Sequence, residues 1–359
     1  MLKICFLADG ISIHTKRWCD YFKQQGHEIH LITFRNTKLD SAIVHFIDVG
    51  DISVSGGNWK TLLAVPKIRK ILKEIKPDIF HSHYATSYGI TGALCFFKPY
   101  IVTTLGSDIL ISPQESFILK LLLKFVFKRA SWITTMAEHM KSAIIELGAK
   151  ESKVSVVPFG IDINVFNTNN RQLSNDKFVI TSTRNFETVY NIPHLLKAVS
   201  DIKKSIPNIQ LNLIGDGSQR KALEQMVVDL NLKDCTTFYG KIPQLQIAEI
   251  LNQSHLFISV SLSDGNNISL NEAMACGVLC IATDIAANIQ WINDGENGFL
   301  VKIDAVDSLS NIILNSFNNY NELQDKAIKI NDVIIKERAI WANNMKVVEE
   351  KYYSLIKKK

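Results

Sequence analysis

The sequence lacks the run of about 18–20 uninterrupted apolar residues that a membrane-spanning helix needs. The apolar stretch at residues 3–8 is too short and too lightly charged for a secretory signal. The six cysteines lie scattered among apolar runs, without the accompanying His or Cys pairs of a zinc site, so neither a disulfide framework nor a metal cluster is expected. These absences predict a soluble protein in a reduced, cytoplasmic setting.

Two motifs of enzyme chemistry are also missing. The chain has no Gly-x-Ser-x-Gly segment, which disfavours a serine hydrolase. It has no Asp-x-Asp segment either, which removes a common pair of metal-bridging carboxylates. No bound metal and no cofactor are therefore expected.

The composition is that of an ordinary globular protein, with 47% hydrophobic and 21% charged residues. A chain of 359 residues exceeds what one hydrophobic core usually supports, so we expect two domains. Residues 1–165 hold 20 Lys and Arg against 14 Asp and Glu, whereas the remainder holds 20 against 21. This imbalance predicts an anionic partner for the first domain only, and no nucleic-acid partner is expected.

Strand-like and helix-like patterns alternate along the chain. Apolar strand patterns at residues 3–8 and 27–33 enclose a helical pattern at residues 15–25. Residues 162–176 are rich in Asn, Thr and Ser and have no period, which suits a linker, and the alternation restarts with a strand pattern at residues 178–184. Such alternation implies βαβ units and parallel sheets.

We therefore predict an α/β protein of two doubly wound, Rossmann-like domains, formed by residues 1–165 and 166–340. Two such domains leave a cleft that faces the carboxyl ends of their strands, where open α/β sheets bind ligands.

The most informative segment is residues 263–277, which reads Ser-Asp-Gly-Asn-Asn-Ile-Ser-Leu-Asn-Glu-Ala-Met-Ala-Cys-Gly. Asp264 follows a strand pattern, Gly265 permits a tight turn, and a helix is expected to begin near Asn267. Free amides at a helix start attract a diphosphate, and carboxylates such as Asp264 and Glu272 accept hydrogen bonds from sugar and ribose hydroxyls. The spacing alone fits an ordinary capped helix equally well.

This segment resembles the acid-x7-acid signature of the retaining glycosyltransferases of family 4. The likeness continues through Thr283-Asp284 and residues 291–301 and extends over nearly the whole chain. Further matching segments, in the expected order, are residues 14–18, 81–83, 106–108, 157–162, 215–217 and 238–241, then Trp341 and Tyr352-Tyr353. The resemblance implies a GT-B fold, two Rossmann-like domains facing a central cleft, with a terminal helix at residues 341–359 returning to the first domain.

The resemblance also implies roles for individual residues. The catalytic group comprises Asp264, Arg184 and Glu272. The expected donor-binding residues are Gly10, Arg184, Tyr190, Gly215, Lys241, Asp264, Gly265, Asn266, Asn267, Ile268 and Glu272. The expected acceptor-binding residues are His14, Arg17 and His83. A strand-end turn at Gly10, a solvated Lys241 and surface positions for the two histidines and Arg17 are the simpler alternatives.

The sequence departs from the family pattern at a few positions. Arg184 stands where the family has its diphosphate-binding Arg, but the Lys expected shortly after it is missing, and Tyr190 or Asn191 occupies that neighbourhood. Three positions carry an unusual residue type: Asp264 and Gln290, where Glu is commoner, and Leu105, where many members have His. These departures leave the identity of the donor open.

Residues Phe117–Arg129 form a distinctive basic segment. Lys120, Lys124 and Lys128 are spaced four apart, on one flank of a helix whose remaining positions are largely apolar. Such a helix either lies in an anionic membrane interface or packs on its own sheet with its lysines in water. The first alternative predicts peripheral attachment to the inner face of the plasma membrane.

The sequence thus predicts a metal-independent, retaining, hexosyltransferase-type enzyme. It would move a sugar from a nucleotide-sugar donor to a glycan or lipid-linked acceptor, in the assembly of a bacterial surface polysaccharide or glycolipid. A non-catalytic nucleotide-sugar-binding subunit and a nucleotide-sugar epimerase of the same fold are the alternatives.

Overall fold

The computed structural model describes residues 1–52 and 58–357, which divide into two compact units. The first unit comprises Met1–Pro158 and Met345–Lys359, and the second comprises Phe159–Asn344. The second unit thus begins seven residues before residue 166, where the linker composition predicted the start of the second domain. Ile161 explains the difference, because its side chain is buried in the core of the second unit and its amide donates to the carbonyl of Ala339, 2.7 Å away.

The first unit is built on a parallel sheet of seven strands in the order β3-β2-β1-β4-β5-β6-β7. The strands are β1 (Lys3–Leu7), β2 (Glu28–Thr33), β3 (Ile43–Phe46), β4 (Ile79–His83), β5 (Tyr100–Thr103), β6 (Trp132–Thr135) and β7 (Val154–Val156). Its helices are α1 (Ile13–Gln24), α2 (Val65–Ile75), α3 (Ser87–Ala93), α4 (Ser107–Leu110), α5 (Ser112–Glu115), α6 (Phe117–Arg129) and α7 (Glu138–Glu146).

The second unit is built on a parallel sheet of six strands in the order β10-β9-β8-β11-β12-β13. The strands are β8 (Phe178–Ser182), β9 (Ile209–Ile214), β10 (Thr236–Gly240), β11 (Leu256–Ser259), β12 (Leu279–Thr283) and β13 (Phe299–Val301). The helices are α8 (Ile192–Ile202), α9 (Arg220–Asp229), α10 (Gln244–Asn252), α11 (Ile268–Ala275), α12 (Ala286–Ile289), α13 (Val306–Asn318) and α14 (Tyr320–Arg338).

The last helix, α15 (Trp341–Ile356), runs from the second unit into the first. Its Tyr352 is fully buried, and the Tyr352 hydroxyl lies 2.5 Å from Nδ1 of His81 at the centre of the first sheet. Glu349 Oε1 lies 2.9 Å from Nε2 of His27. The helix therefore ends on the first sheet. The final two residues of the predicted segment 341–359 lie outside the described residues.

Both sheets are doubly wound, which confirms the predicted architecture of two Rossmann-like domains. Central strands such as β1 and β8 are buried on both faces, as near-continuous apolar runs require in a parallel sheet. The strand order reverses between β1 and β4 in the first sheet and between β8 and β11 in the second. Crevices for ligands open at the carboxyl ends of the strands at such reversals.

Within residues 1–52 and 58–357, no helix has both the length and the apolar character needed to cross a bilayer.

Candidate functional site

Arg184 lies just beyond the carboxyl end of β8, at the switch point of the second sheet, and only 7% of its surface is exposed. Its Nη2 donates to Oδ2 of Asp264 at 2.5 Å, and its Nη1 donates to Oδ1 of Asn267 at 2.8 Å. The guanidinium carbon also lies 4.3 Å from the centre of the Tyr190 ring. Its Nε–H is buried and finds no hydrogen-bond acceptor among the described residues. Three contacts thus hold the arginine, and Nε is the guanidinium nitrogen that is left without a partner among the described residues.

Tyr190 occupies the position where the resemblance implied a second cation. It ends a short 3-10 helix, Thr188–Tyr190, and Asn191 follows it in the left-handed conformation with φ 50°. The Tyr190 ring covers one side of the Arg184 guanidinium, as expected for a cation–π contact. In the described structure this residue therefore supports the arginine rather than adding a charge of its own.

Helix α11 begins directly after Asn267, whose side chain caps it. Oδ1 of Asn267 accepts from the amide of Leu270 at 3.2 Å as well as from Arg184, and Nδ2 donates to Ser259 and Asn288. These four hydrogen bonds use the full capacity of an amide side chain. Asn267 is thus a positioning residue. The amide of Ile268 donates to the carbonyl of Asn266 and that of Leu270 to Asn267, so in the described structure the amide of Ser269 is the first-turn donor that remains for an anion.

Asn266 has a similar structural task. Its Oδ1 accepts from Nε1 of Trp291 at 3.0 Å and from Nε2 of Gln290 at 3.4 Å, and its Nδ2 donates to the carbonyl of Phe159 at 3.4 Å. Its side chain therefore ties the loop before α11 to neighbouring segments of the second unit. Its backbone is also engaged, since the amide of Asn266 donates to Oδ1 of Asp264 at 3.2 Å and its carbonyl accepts from the amide of Ile268 at 3.0 Å. The expected donor contact at Asn266 stays a prediction.

The two acidic residues of the signature lie on either side of the cap. Asp264 precedes it and holds Arg184, with 16% of its side chain exposed. Glu272 lies within α11, and 8% of its surface is exposed. Gly265 and Ile268 lie between them, at the turn and at the first helical residue. One loop-and-helix segment therefore supplies both carboxylates, as the spacing predicts.

The loop after β9 explains the two glycines at positions 215 and 217. A Cβ on Gly215, whose φ is +143°, would lie 2.3 Å from the carbonyl oxygen of Arg184, and one on Gly217 would lie 2.5 Å from that of Phe186. The amide of Gly215 donates to the carbonyl of Gly240 at 2.9 Å, and Gly240 is the residue directly before Lys241. Arg184, Gly215 and Lys241 thus follow the ends of three adjacent strands.

The first unit has a pocket of about 200 Å³ at the carboxyl ends of its strands. His14 and His83 both line it, whereas Arg17 does not. Other lining residues are Asp9, Ser12, Thr15, Tyr84, Ser87, Tyr88 and Leu105. Gly10 lies beside the pocket, and a Cβ there would approach Cγ2 of Thr37 to 2.5 Å, so close packing by itself requires this glycine.

Both pocket histidines are neutral near pH 7. Burial, followed by the nearby His14, lowers the pKa of His83 to about 3. Burial, followed by the charge of Arg17, lowers the pKa of His14 to about 4. Each ring therefore carries one N–H and one lone pair rather than a positive charge.

Two buried polar atoms face this pocket without a hydrogen-bond partner in the described part of the chain. They are Nε2 of His83 and the hydroxyl of Tyr88. Buried polar groups are normally paired, so unpaired ones that line a pocket indicate a ligand. Sequence reasoning missed Tyr88. The available signal was its place in the helix that follows the His81-Ser82-His83 strand end.

The Gly106-Ser107-Asp108 segment shapes the rim of the same pocket. Asp108 is fully buried, and its carboxylate accepts from the amides of Ala85, Leu105 and Gly106 at 2.6–3.1 Å. Burial raises the pKa of Asp108 although these amides oppose the shift. The carboxylate therefore connects the loops that follow β4 and β5 and fixes Leu105 at the pocket wall.

Comparisons with known families agree with this geometry. The family model described as "Glycosyl transferase 4-like" matches residues 3–137, and the model described as "Glycosyl transferases group 1" matches residues 166–332. The first match includes strands β1–β6 of the first sheet, and the second includes all strands of the second sheet, β8–β13.

Similar proteins include N-acetyl-alpha-D-glucosaminyl L-malate synthase of Bacillus anthracis, which is 29% identical over 78% of this chain and 77% of its own. The UDP-Gal:alpha-D-GlcNAc-diphosphoundecaprenol alpha-1,3-galactosyltransferase of Escherichia coli is 26% identical over 71% of this chain and 70% of its own. Among solved structures, sucrose-phosphate synthase from Thermosynechococcus elongatus superposes with a TM-score of 0.85 at 16% identity, over the full length of both chains. At this low sequence identity, the structural similarity to sucrose-phosphate synthase shows the fold alone.

Proposed function

The chain belongs to the group 1 glycosyltransferases of family 4, and from this we propose that it transfers a sugar from a nucleotide-sugar to a hydroxyl acceptor, with retention and without a bound metal. The observation that carries the proposal is the arrangement of Arg184, Asp264 and the start of α11 at the switch point of the second sheet.

In this proposal the donor diphosphate lies at the first turn of α11 and accepts a hydrogen bond from Arg184, whose Nε–H has no partner among the described residues. Glu272 accepts the ribose hydroxyls, and Asp264 accepts a hydroxyl of the transferred sugar. Gly215 and Lys241 border the nucleotide, because they follow the neighbouring strand ends. Tyr190 contributes by fixing the arginine. Fixed positive charge and amide dipoles then stabilise the leaving diphosphate, which is the role that a metal ion has elsewhere.

We place the acceptor at the pocket of the first unit. His14, His83 and Tyr88 provide neutral hydrogen-bonding groups there, which suit hydroxyls. Arg17 adds positive charge close to His14, which suits a phosphate-bearing acceptor. The E. coli relative is named for UDP-galactose and a diphosphoundecaprenol-linked acceptor. We propose the same two substrate classes for this chain, a nucleotide-sugar donor and a glycan or lipid-linked acceptor. The reaction would then serve the assembly of a surface polysaccharide or glycolipid.

Nucleotide binding tests the donor site directly. In a thermal-shift screen of UDP, GDP and ADP with EDTA present, one nucleoside diphosphate should stabilise the protein, by roughly 2.7 kcal/mol at 100 times its dissociation constant. Glu272→Ala should weaken that nucleotide at least tenfold by calorimetry, since a hydrogen bond to a charged group contributes about 1.5–3 kcal/mol.

Glu296→Ala is the control, because Glu296 is exposed and lies in the loop before β13. Stabilisation that disappears with EDTA and returns with Mg²⁺ would contradict metal independence. If Glu272→Ala and the unmodified protein bound the nucleotide with equal affinity, Glu272 would not be a nucleotide-binding residue. Conversion of the nucleotide-sugar into its epimer without any acceptor would favour the epimerase, and binding without turnover on any acceptor would favour the non-catalytic subunit.

We also propose that α6 attaches the protein to an anionic membrane. Its inner side packs into the first core through Leu123, Val126 and Phe127. Its outer side exposes Phe117 by 73%, Ile118 by 61% and Leu121 by 49%. Lys120, Lys124 and Lys128 are exposed on the same side. The helix is thus a packed domain element with an amphipathic outer face, which combines the two alternatives of the sequence analysis.

Vesicle co-sedimentation tests this attachment. The protein should sediment with anionic vesicles and only weakly with neutral ones, and less strongly as salt is raised. The triple variant K120E, K124E and K128E should lose most of the binding, because each lysine near an anionic surface contributes about 1 kcal/mol. The triple variant K326E, K329E and K336E, on the exposed side of α14, makes the same change in net charge and should still bind. Equal loss in both variants would show that net charge, not α6, is responsible.

A further inference from the structure

Asn288, in α12, is fully buried, although its amide side chain carries both hydrogen-bond donors and an acceptor. Its backbone is held on both sides, since its amide donates to the carbonyl of Ile285 at 2.8 Å and its carbonyl accepts from the amide of Trp291 at 2.9 Å. Nδ2 of Asn288 lies 2.8 Å from the carbonyl oxygen of Thr283, and Oδ1 lies 2.9 Å from Nδ2 of Asn267. Both ends of this buried amide are therefore paired.

The partners force one orientation on this amide. A carbonyl oxygen only accepts, so the atom of Asn288 that faces Thr283 must be the nitrogen, and its oxygen must face Asn267. The nitrogen of the Asn267 amide must then face Asn288, which turns its own oxygen towards Arg184. There it meets two groups that only donate, Nη1 of Arg184 at 2.8 Å and the amide of Leu270 at 3.2 Å. Turning either amide over would bring like groups face to face in a buried region, where unpaired polar groups are costly.

The side chain of Asn288 is also anchored to the second sheet. Thr283, whose carbonyl it holds, is the last residue of β12 and is fully buried. The Thr283 hydroxyl donates to the carbonyl of Ser261, which lies 2.5 Å away and just beyond β11. Arg184 lies just beyond β8, the strand on the other side of β11. The hydrogen-bonded row of Thr283, Asn288, Asn267 and Arg184, which we call the amide relay, therefore crosses the ends of three neighbouring strands.

The amide relay holds one of the two terminal nitrogens of the Arg184 guanidinium. Nη1 donates to Asn267 within the relay, and Nη2 donates to Asp264 in the loop before α11. The Tyr190 ring covers one side of the guanidinium, which restrains its tilt but leaves it free to turn in its own plane. A planar group held at two nitrogens cannot turn in this way. Without the relay, the hydrogen bond to Asp264 would be a pivot rather than a clamp.

We propose that Asn288 is a positioning residue of the transfer reaction. Through Asn267 it holds the Arg184 guanidinium in the orientation that suits the leaving diphosphate. The inference rests on the function proposed above and adds to it a residue of α12 that lies outside the acidic segment 263–277. Preorganised donors are effective because they need no reorientation as charge develops, so loss of the relay should lower turnover more than it weakens donor binding.

A double-mutant cycle on kcat tests whether Asn288 acts through Arg184. In the unmodified protein, Asn288→Ala should lower kcat about tenfold, since a small misplacement of a catalytic group can cost up to about 10²-fold. In the background R184A and D264N, the same change should lower kcat less than about twofold, because the relay has no guanidinium left to hold. This background also removes the carboxylate charge that R184A alone would leave unpaired.

Asn331→Ala is the matched control. Asn331, in α14, is also fully buried, and its Oδ1 accepts from Nδ2 of Asn297 at 2.8 Å. The substitution therefore breaks an equally buried pair of amides in the same unit, outside the relay. It should lower the unfolding free energy in urea about as much as Asn288→Ala does, yet leave kcat within about twofold of the unmodified protein.

The side-chain nitrogen-15 spectrum of labelled arginine tests the relay without any transfer. The Arg184 signals are assigned by their absence from R184A. In Asn288→Ala the Nη signals of Arg184 should broaden and merge, because the guanidinium is free to turn. In Asn331→Ala they should stay as in the unmodified protein.

Unchanged Arg184 signals in Asn288→Ala, or the same fold-change in kcat in both backgrounds of the cycle, overturn the role of Asn288 and leave the transferase assignment standing. Absence of turnover with every nucleotide-sugar overturns the transferase assignment instead. The arginine spectrum then still decides whether Asn288 holds Arg184.

Discussion

Replacing Arg184 with alanine should lower kcat by about 10²–10³ while changing the affinity for the donor less. The negative charge on the departing diphosphate is largest in the transition state, so a donor aimed at it acts mainly on turnover. Removal of one such preorganised donor typically costs this much. Steady-state kinetics with the cognate donor, once the nucleotide screen has identified it, measures the effect.

Two controls separate chemistry from folding. Removal of Arg184 leaves Asp264 without its buried partner, which destabilises a protein by about 3–5 kcal/mol in other cases. The double variant R184A and D264N removes that unpaired charge and should restore stability without restoring kcat. Arg184→Lys keeps the charge but cannot reach Asp264 and Asn267 with two arms, so its kcat should be intermediate. An unchanged kcat with only a raised KM would refute the leaving-group role.

Lowering the pH should begin to destabilise the protein near pH 6.5, well above the pH range in which carboxylates titrate. Burial, followed by His14, lowers the pKa of His83 to about 3, and burial, followed by Arg171, lowers that of His255 to about 4. Burial also lowers the pKa of His81 well below its usual 6.5. In the unfolded chain these rings titrate near 6.5, so between that pH and about 4 the unfolded state binds more protons. The stability is complete above pH 6.5 and is lost as the pH falls towards the folded-state pKa values.

Each buried histidine should remove up to about 1.4 kcal/mol of unfolding free energy per pH unit in this range. Urea unfolding at pH 7.5, 6.5 and 5.5, followed by hydrogen exchange in peptides of each unit, measures the loss. The first unit should lose more because it contains His81 and His83, whereas the second contains His255. His83→Gln should flatten the dependence of the first unit. Equal stability at pH 7.5 and 5.5 would show that these rings are not held neutral by burial.

Features that depend on local spacing could be predicted from the amino-acid sequence. Apolar strand patterns that alternate with helical patterns of period 3.6 indicate βαβ units and parallel sheets, because each element must bury its apolar residues against a neighbouring layer. The segment from Asp264 to Glu272 is likewise local, since a strand end, a tight turn and a capped helix are all encoded within it. Membership in the glycosyltransferase family follows from such segments.

Contacts between side chains that are distant in the sequence are apparent only in the folded structure. In the fold, the Tyr190 ring stacks on the guanidinium of Arg184, and the side chain of Asn267 is fully used in hydrogen bonds that position its neighbours. Tyr88 and His83 line one pocket. Helix α6 is packed on one side and exposed on the other. These outcomes depend on which strand ends become neighbours. That order is set by packing two whole sheets, which no local period specifies.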